Sequence, residues 1–110
     1  MSEHPPRTTA LQSYELDEVE VPIGEAKQTV RAIRITIHGQ NIFLRALEPV
    51  VRIGDTQIHY PRIQPDEQTI IGYVTDQPPE GATITLEYPG LAPLAVPERF
   101  TISKLRRPLT

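Results

Sequence analysis

The chain has 110 residues, which fits one small domain and leaves little room for a second. Its 38% apolar and 23% charged residues are an ordinary globular mixture, and with no cysteine it holds no disulfide framework, thiolate metal site or cysteine nucleophile. The formal net charge of −3 runs against the positive excess that neutralising phosphates demands, so nucleic acid is not an expected partner.

From the N-terminus, Met1–Ala10 (MSEHPPRTTA) lacks the apolar centre of a signal peptide. No uninterrupted apolar run reaches membrane-spanning length, so a cytoplasmic protein with no membrane partner is expected. Residues 1–13, polar and carrying Pro5-Pro6, read as a disordered arm, 14–104 as a single domain and 105–110 as a tail. The 12 prolines are scattered, and each breaks helix interiors by its missing N–H and its ring. Between them lie short runs rich in Ile, Val, Thr and Tyr, the pattern of many short strands.

Tyr14–Pro22 alternates Leu16, Val19 and Val21 imperfectly with acids and reads as an edge strand whose charges discourage unwanted pairing. After a turn at Pro22-Ile23-Gly24, Thr29–His38 is the clearest strand: Ile33, Ile35 and Ile37 share one face, Ala32, Arg34, Thr36 and His38 the other. Ile42-Phe43-Leu44 is an apolar patch suited to plugging one end of the core. Pro49–Ile53 and Thr56–Ile63 flank Gly54-Asp55, a two-residue hairpin turn with glycine first. Pro61 makes the later part of the second arm an edge or a bulge, and Gly72 within Gln68–Thr75 marks a bulge or a close backbone approach. Past the turn at Asp76–Gly81, Ala82, Ile84, Leu86 and Tyr88 alternate inward. Leu94–Val96 and Phe100–Ile102 complete the set as a last strand, or a broken pair, around Pro97. The expected fold is all-β, an immunoglobulin-like antiparallel β-sandwich.

Four segments in this order, ITIHGQNIF (Ile35–Phe43), PVVRIGD (Pro49–Asp55), QTIIGYVTD (Gln68–Asp76) and GATITLEYPG (Gly81–Gly90), resemble the IPT/TIG domain family over roughly residues 28 to 103. The chain departs from that pattern in the proline-rich stretch after Tyr60 and in the turn YPGLAPLAVP. Members of that family serve as spacers, receptor ectodomain modules and dimerising domains and are not catalytic by themselves. The resemblance therefore implies an interaction or scaffold module.

Chemistry-bearing groups are sparse. His4, His38 and His59 have no metal-ligand spacing among them, and no cofactor is expected. Glu15, Asp17, Glu18 and Glu20 lie on an alternating strand that sends them to both faces, which suits a solvated edge better than calcium. Asp66 and Glu67 read as turn acids with nothing marking a shifted pKa. Ser2, Ser13 and Ser103 lack a nucleophile elbow, and the chain is not expected to be an enzyme. Lys104, Arg106 and Arg107, with Arg31, Arg34, Arg45 and Arg52, outline a basic strip in which Arg34 and Arg52 fall on neighbouring strands. The leading expectation is a non-catalytic interaction module that binds an unidentified protein, or its own copy as a homodimer, through an exposed edge. Its candidate contact residues are Arg34, Thr36, His38, Arg52, His59 and Tyr60, with the loop Pro61–Glu67 beside them. The alternatives are a small-ligand binder or enzyme with a loop-built site and a nucleic-acid-binding accessory domain.

Overall fold

A computed structural model describes residues 10–23, 28–43 and 48–106. The sequence readings at His4, Pro5-Pro6, Gly24, Leu44, Arg45 and Arg107 lie outside the described residues. The chain forms β1 (Ala10–Ile23), β2 (Gln28–Gln40), β3 (Val50–Ile53), β4 (Thr56–Gln57), β5 (His59–Ile63), β6 (Thr69–Val74), β7 (Ile84–Glu87) and β8 (Leu94–Ala95). A short 3-10 turn at Ile102–Lys104 leads into β9 (Leu105–Arg106). Two sheets pack face to face, one in the order β5-β6-β2-β1-β9 and the other β4-β3-β7-β8. All the pairs are antiparallel except β1–β9, which is parallel.

The core follows from period-two alternation. Tyr14 and Leu16 of β1, Ile35 and Ile37 of β2 and Ile70 of β6 point inward, each at most 1% exposed. Val51, Ile53, Ile84 and Leu86 face them from the second sheet. Tyr88 donates its hydroxyl proton to the Ile42 carbonyl, and Ile42 plugs the end of the core as expected, while Phe43 turns to solvent. Gly72 lies across from Ile35, and a Cβ there would overlap Ile58 Cγ2. That is the close approach the sequence pointed to.

Three boundaries differ from the sequence reading. Strand β1 begins at Ala10, not Tyr14, because Ala10 and Leu11 pair with Gln40 and Gly39, with a bulge between Leu11 and Ser13. Leu105 and Arg106 belong to a strand and not to a tail, pairing with Leu16 and Asp17. Phe100–Ile102 is not a strand: Phe100 is buried in the core beside Tyr14, its N–H bonded to the Ala82 carbonyl and its carbonyl to the Gly81 N–H. The hairpin turn at Gly54-Asp55 is as expected, with Gly54 at φ 61° in the region that favours glycine.

The feature that sets the shape is the β1–β2 ribbon. Its ladder runs unbroken from Ser13↔His38 to Ile23↔Gln28, whereas β6 pairs with β2 only from Ile33 to His38. The outer end, residues 19–23 and 28–32, therefore extends beyond its neighbours as a two-stranded arm. The molecule measures 58 × 32 × 28 Å, and its radius of gyration of 15.4 Å exceeds the ~13 Å of a compact domain this size.

Candidate functional site

The sheet containing the ribbon has a second face, turned away from the core, and register fixes which residues occupy it. Asp17, Arg34, Tyr73 and His59 form one row across β1, β2, β6 and β5. Glu15, Thr36, Ile71 and Arg62 form the next. On the arm the same face carries the directly opposed pairs Val19↔Ala32 and Val21↔Val30. Ala32 is only 4% exposed yet is absent from the cluster that fills the sandwich. It is buried on the outer side.

This face forms an open groove of about 610 Å³. Val19, Glu20, Val21 and Pro22 of the arm line one side, Tyr60, Arg62 and Gln64 the other, with Arg34, Ile71 and Tyr73 between. The far wall depends on a bulge in β5: His59 pairs with Tyr73 and Arg62 with Ile71, so three steps on β5 match two on β6. Within the bulge Tyr60 has φ 52°, a conformation that costs a residue with a side chain of order 1 kcal/mol, and its side chain is 77% exposed. Its ring lies 6.5 Å from that of His59.

The charges are unevenly satisfied. Arg34 Nη2 lies 3.4 Å from Asp17 Oδ2, a long contact, and Arg34 Nε is buried without a hydrogen-bond partner. Among the described residues no carboxylate pairs with Arg62. By register Glu18 and Glu20 start from the opposite face: Glu18 holds Arg31 at 3.1 Å, and Glu20, which also borders the groove, accepts from the Thr29 hydroxyl.

Five of the six residues singled out from sequence share this sheet. Arg34 and Tyr60 line the groove, His59 flanks it, and Thr36 and His38 continue the face toward the other end, where His38 Nε2 is 3.2 Å from Glu15. Arg52 does not join them. It lies on β3 in the other sheet, 3.5 Å from Glu87, so β2 and β3 are not neighbours and Arg34 and Arg52 form no common strip. Arg31, Arg34, Arg52 and Lys104 each have a carboxylate within reach, and Lys104 also sits 4.1 Å over the Tyr14 ring.

The loop Pro61–Glu67 supplies Arg62 and Gln64 as the sequence suggests, whereas Val19, Val21, Ile71 and Tyr73 join the groove without any motif that marks them. The available signal was the imperfect alternation of β1: Leu16 and Val19, three apart, cannot share a face of a regular strand.

No group of three or more His, Asp or Glu among the described residues is arranged to hold a metal. The acidic run divides as alternation requires, Glu15 and Asp17 on one face and Glu18 and Glu20 on the other. Asp66 corrects the sequence reading. The Gln68 N–H, then the Thr69 hydroxyl and N–H, donate to its carboxylate and hold its pKa below the ordinary 3.8, with His38 assisting. Such a carboxylate fixes a turn and stays ionised, which is the wrong direction for a general acid.

The two sheets and the groove define an all-β sandwich with an apolar, arginine-bearing outer face. No family model matches the chain, and neither a curated protein nor a solved structure is significantly similar to it. No helix among the described residues is long and apolar enough to cross a membrane.

Proposed function

We propose that this chain is a non-catalytic protein-interaction module that recognises its partner on the outer face of the five-stranded sheet. The observation that carries the reading is the reversal of polarity along the arm. Past Leu16 the core-side face turns to the Glu18–Arg31 ion pair and the Thr29–Glu20 hydrogen bond, while the face away from the core becomes Val19, Val21, Val30 and Ala32. An apolar face that covers no part of its own core, walled by an exposed tyrosine, has the character of a recognition surface.

Strand order supports an immunoglobulin-like ancestry for this scaffold. The order β1-β2-β6-β5 corresponds to strands A, B, E and D of the immunoglobulin sandwich, and β3-β7-β8 to C, F and G, with β4 added at the C edge. The same correspondence favours an IPT/TIG-like module over an unrelated barrel, and modules of that kind act by binding.

Selection of binders from a random peptide display library against the full chain tests the reading. Binders that lose affinity for a Val21→Asp variant of unchanged circular dichroism are expected. A library yielding only binders indifferent to Val21→Asp and to Tyr60→Ala would sink it.

A further inference from the structure

We infer that the groove between the arm and β5 takes an acidic peptide segment, its carboxylates meeting Arg34 and Arg62 and its apolar side chains lying on Val19, Val21 and Ile71. The inference rests on the interaction reading above and adds the chemistry of the partner.

Charge complementarity carries it. A guanidinium presents five N–H donors in a planar fork suited to a carboxylate. Arg34 uses that capacity on one contact of 3.4 Å to Asp17, and Arg62 spends none of it on a described carboxylate. Of the acids nearby, Asp17 stands beside Arg34, Glu15 of the same face is engaged by His38, Glu18 by Arg31, and Glu20, at the groove's border, accepts from Thr29. The groove thus offers cationic donors beside an apolar floor, the complement of a segment alternating acid and aliphatic side chains.

Size agrees with a short segment. From β1 to β5 the groove crosses three strand spacings, roughly 14 Å, which about four extended residues span. A phosphodiester backbone fits less well. Its affinity comes from many cations along a track, whereas here two arginines flank aliphatic side chains in a chain of net charge −3.

The test uses the full chain and three fluorescein-labelled synthetic hexapeptides that alternate Leu with Glu, Gln or Lys, read by fluorescence anisotropy at low salt. The Glu peptide should bind at least about tenfold more tightly than the Gln peptide, the Lys peptide weakest, with the preference shrinking as ionic strength shortens the Debye length. Arg62→Glu, an exposed site where folding is not at risk, should shift the preference toward the Lys peptide. Arg34→Gln should weaken the Glu peptide alone. Equal binding of the Glu and Gln peptides, lost from both in Val21→Asp, would overturn the acidic partner and leave the interaction surface standing. Binding of an oligothymidylate in preference to every peptide, lost in Arg62→Glu, would replace the peptide by a nucleic acid. If no peptide binds, or binding is indifferent to Val21→Asp and Arg62→Glu, both the partner and the surface are wrong.

Discussion

The two ends of the β1–β2 ribbon share one hydrogen-bonded ladder and differ in what covers them. At the inner end Tyr14, Leu16, Ile35 and Ile37 are sealed between sheets, and β6 continues the ladder beyond β2. At the outer end the core-side surface carries Glu18, Glu20 and Arg31 in place of packed apolar side chains, with Glu20 and Arg31 exposed. The valines have moved to the other side. Burial, not strand propensity, decides which face of a strand is apolar, and a change of burial partway along reverses the polarity without interrupting the ladder. The charges on the arm also guard open strand edges against pairing with other chains.

Truncations should separate the two ends most strongly. Ile35→Ala, at a position with no exposure, removes packed methyl groups and leaves a cavity, and about 3–4 kcal/mol of stability should be lost. Val30→Ala on the arm, only half buried, should cost less than about 1 kcal/mol. Urea denaturation followed by circular dichroism measures both. Equal losses would mean that the arm is packed as tightly as the sandwich, and the comparison would break.

A smaller effect is expected directly across the ladder from Ile35. Gly72→Ala drives a methyl group into Ile58, and overpacking of this kind costs about 1–3 kcal/mol. Ile58→Ala alone opens a cavity, so the double variant should be more stable than the sum of the two losses implies. Strict additivity in the same denaturation assay would show that Ile58 yields freely, and the inner end would be looser than its burial suggests.

The legibility of the sequence divides along the same line. In β2 the run Ile33, Ile35, Ile37 against Arg34, Thr36, His38 could be read directly, because one face is buried along that whole stretch. The turn at Gly54-Asp55, the bulge at Pro61 and the close approach at Gly72 were equally plain, since each rests on a residue that does what others cannot: glycine takes a positive φ or leaves room for a neighbour, and proline lacks the N–H of a regular ladder. In β1 the alternation reads as noise, because Leu16 belongs to the core and Val19 and Val21 to the groove. Pattern reading assumes one buried face per strand, and nothing local to Val19 says where the second sheet ends. The separation of Arg34 from Arg52 depends on β3 crossing to the other sheet, a long-range event. So the loop half of the groove wall was legible, and the arm half was not.

Tyr60, on the loop-side wall, should show almost no stability effect. Its ring is largely in solvent, and its positive φ suits glycine better than tyrosine. Tyr60→Gly should change stability by no more than about 1 kcal/mol, relief of strain offsetting the greater freedom of the unfolded chain. Binding of the acidic hexapeptide should nevertheless fall. A large destabilisation would make Tyr60 a structural element of the bulge, joining the wall to the packed end of the molecule.

The subtlest contrast is one of pH, at the turn that leads into β6. Asp66 is ionised when it receives the N–H groups of Gln68 and Thr69 and the Thr69 hydroxyl, so its folded pKa lies below its unfolded value near 3.8. A depressed carboxylate stabilises the fold above the unfolded pKa, and that contribution disappears as pH falls through the folded value. Asp66→Asn keeps an acceptor for the turn but removes the charge. It should therefore be less stable than the parent at neutral pH, and the difference should narrow steadily below about pH 4. The Glu18–Arg31 ion pair of the arm, on the opposite side of the ribbon and common to both proteins, should not alter that convergence. A gap between the two proteins that stays constant from pH 7 to pH 3 would mean the charge is irrelevant, and that the turn is held by its geometry alone.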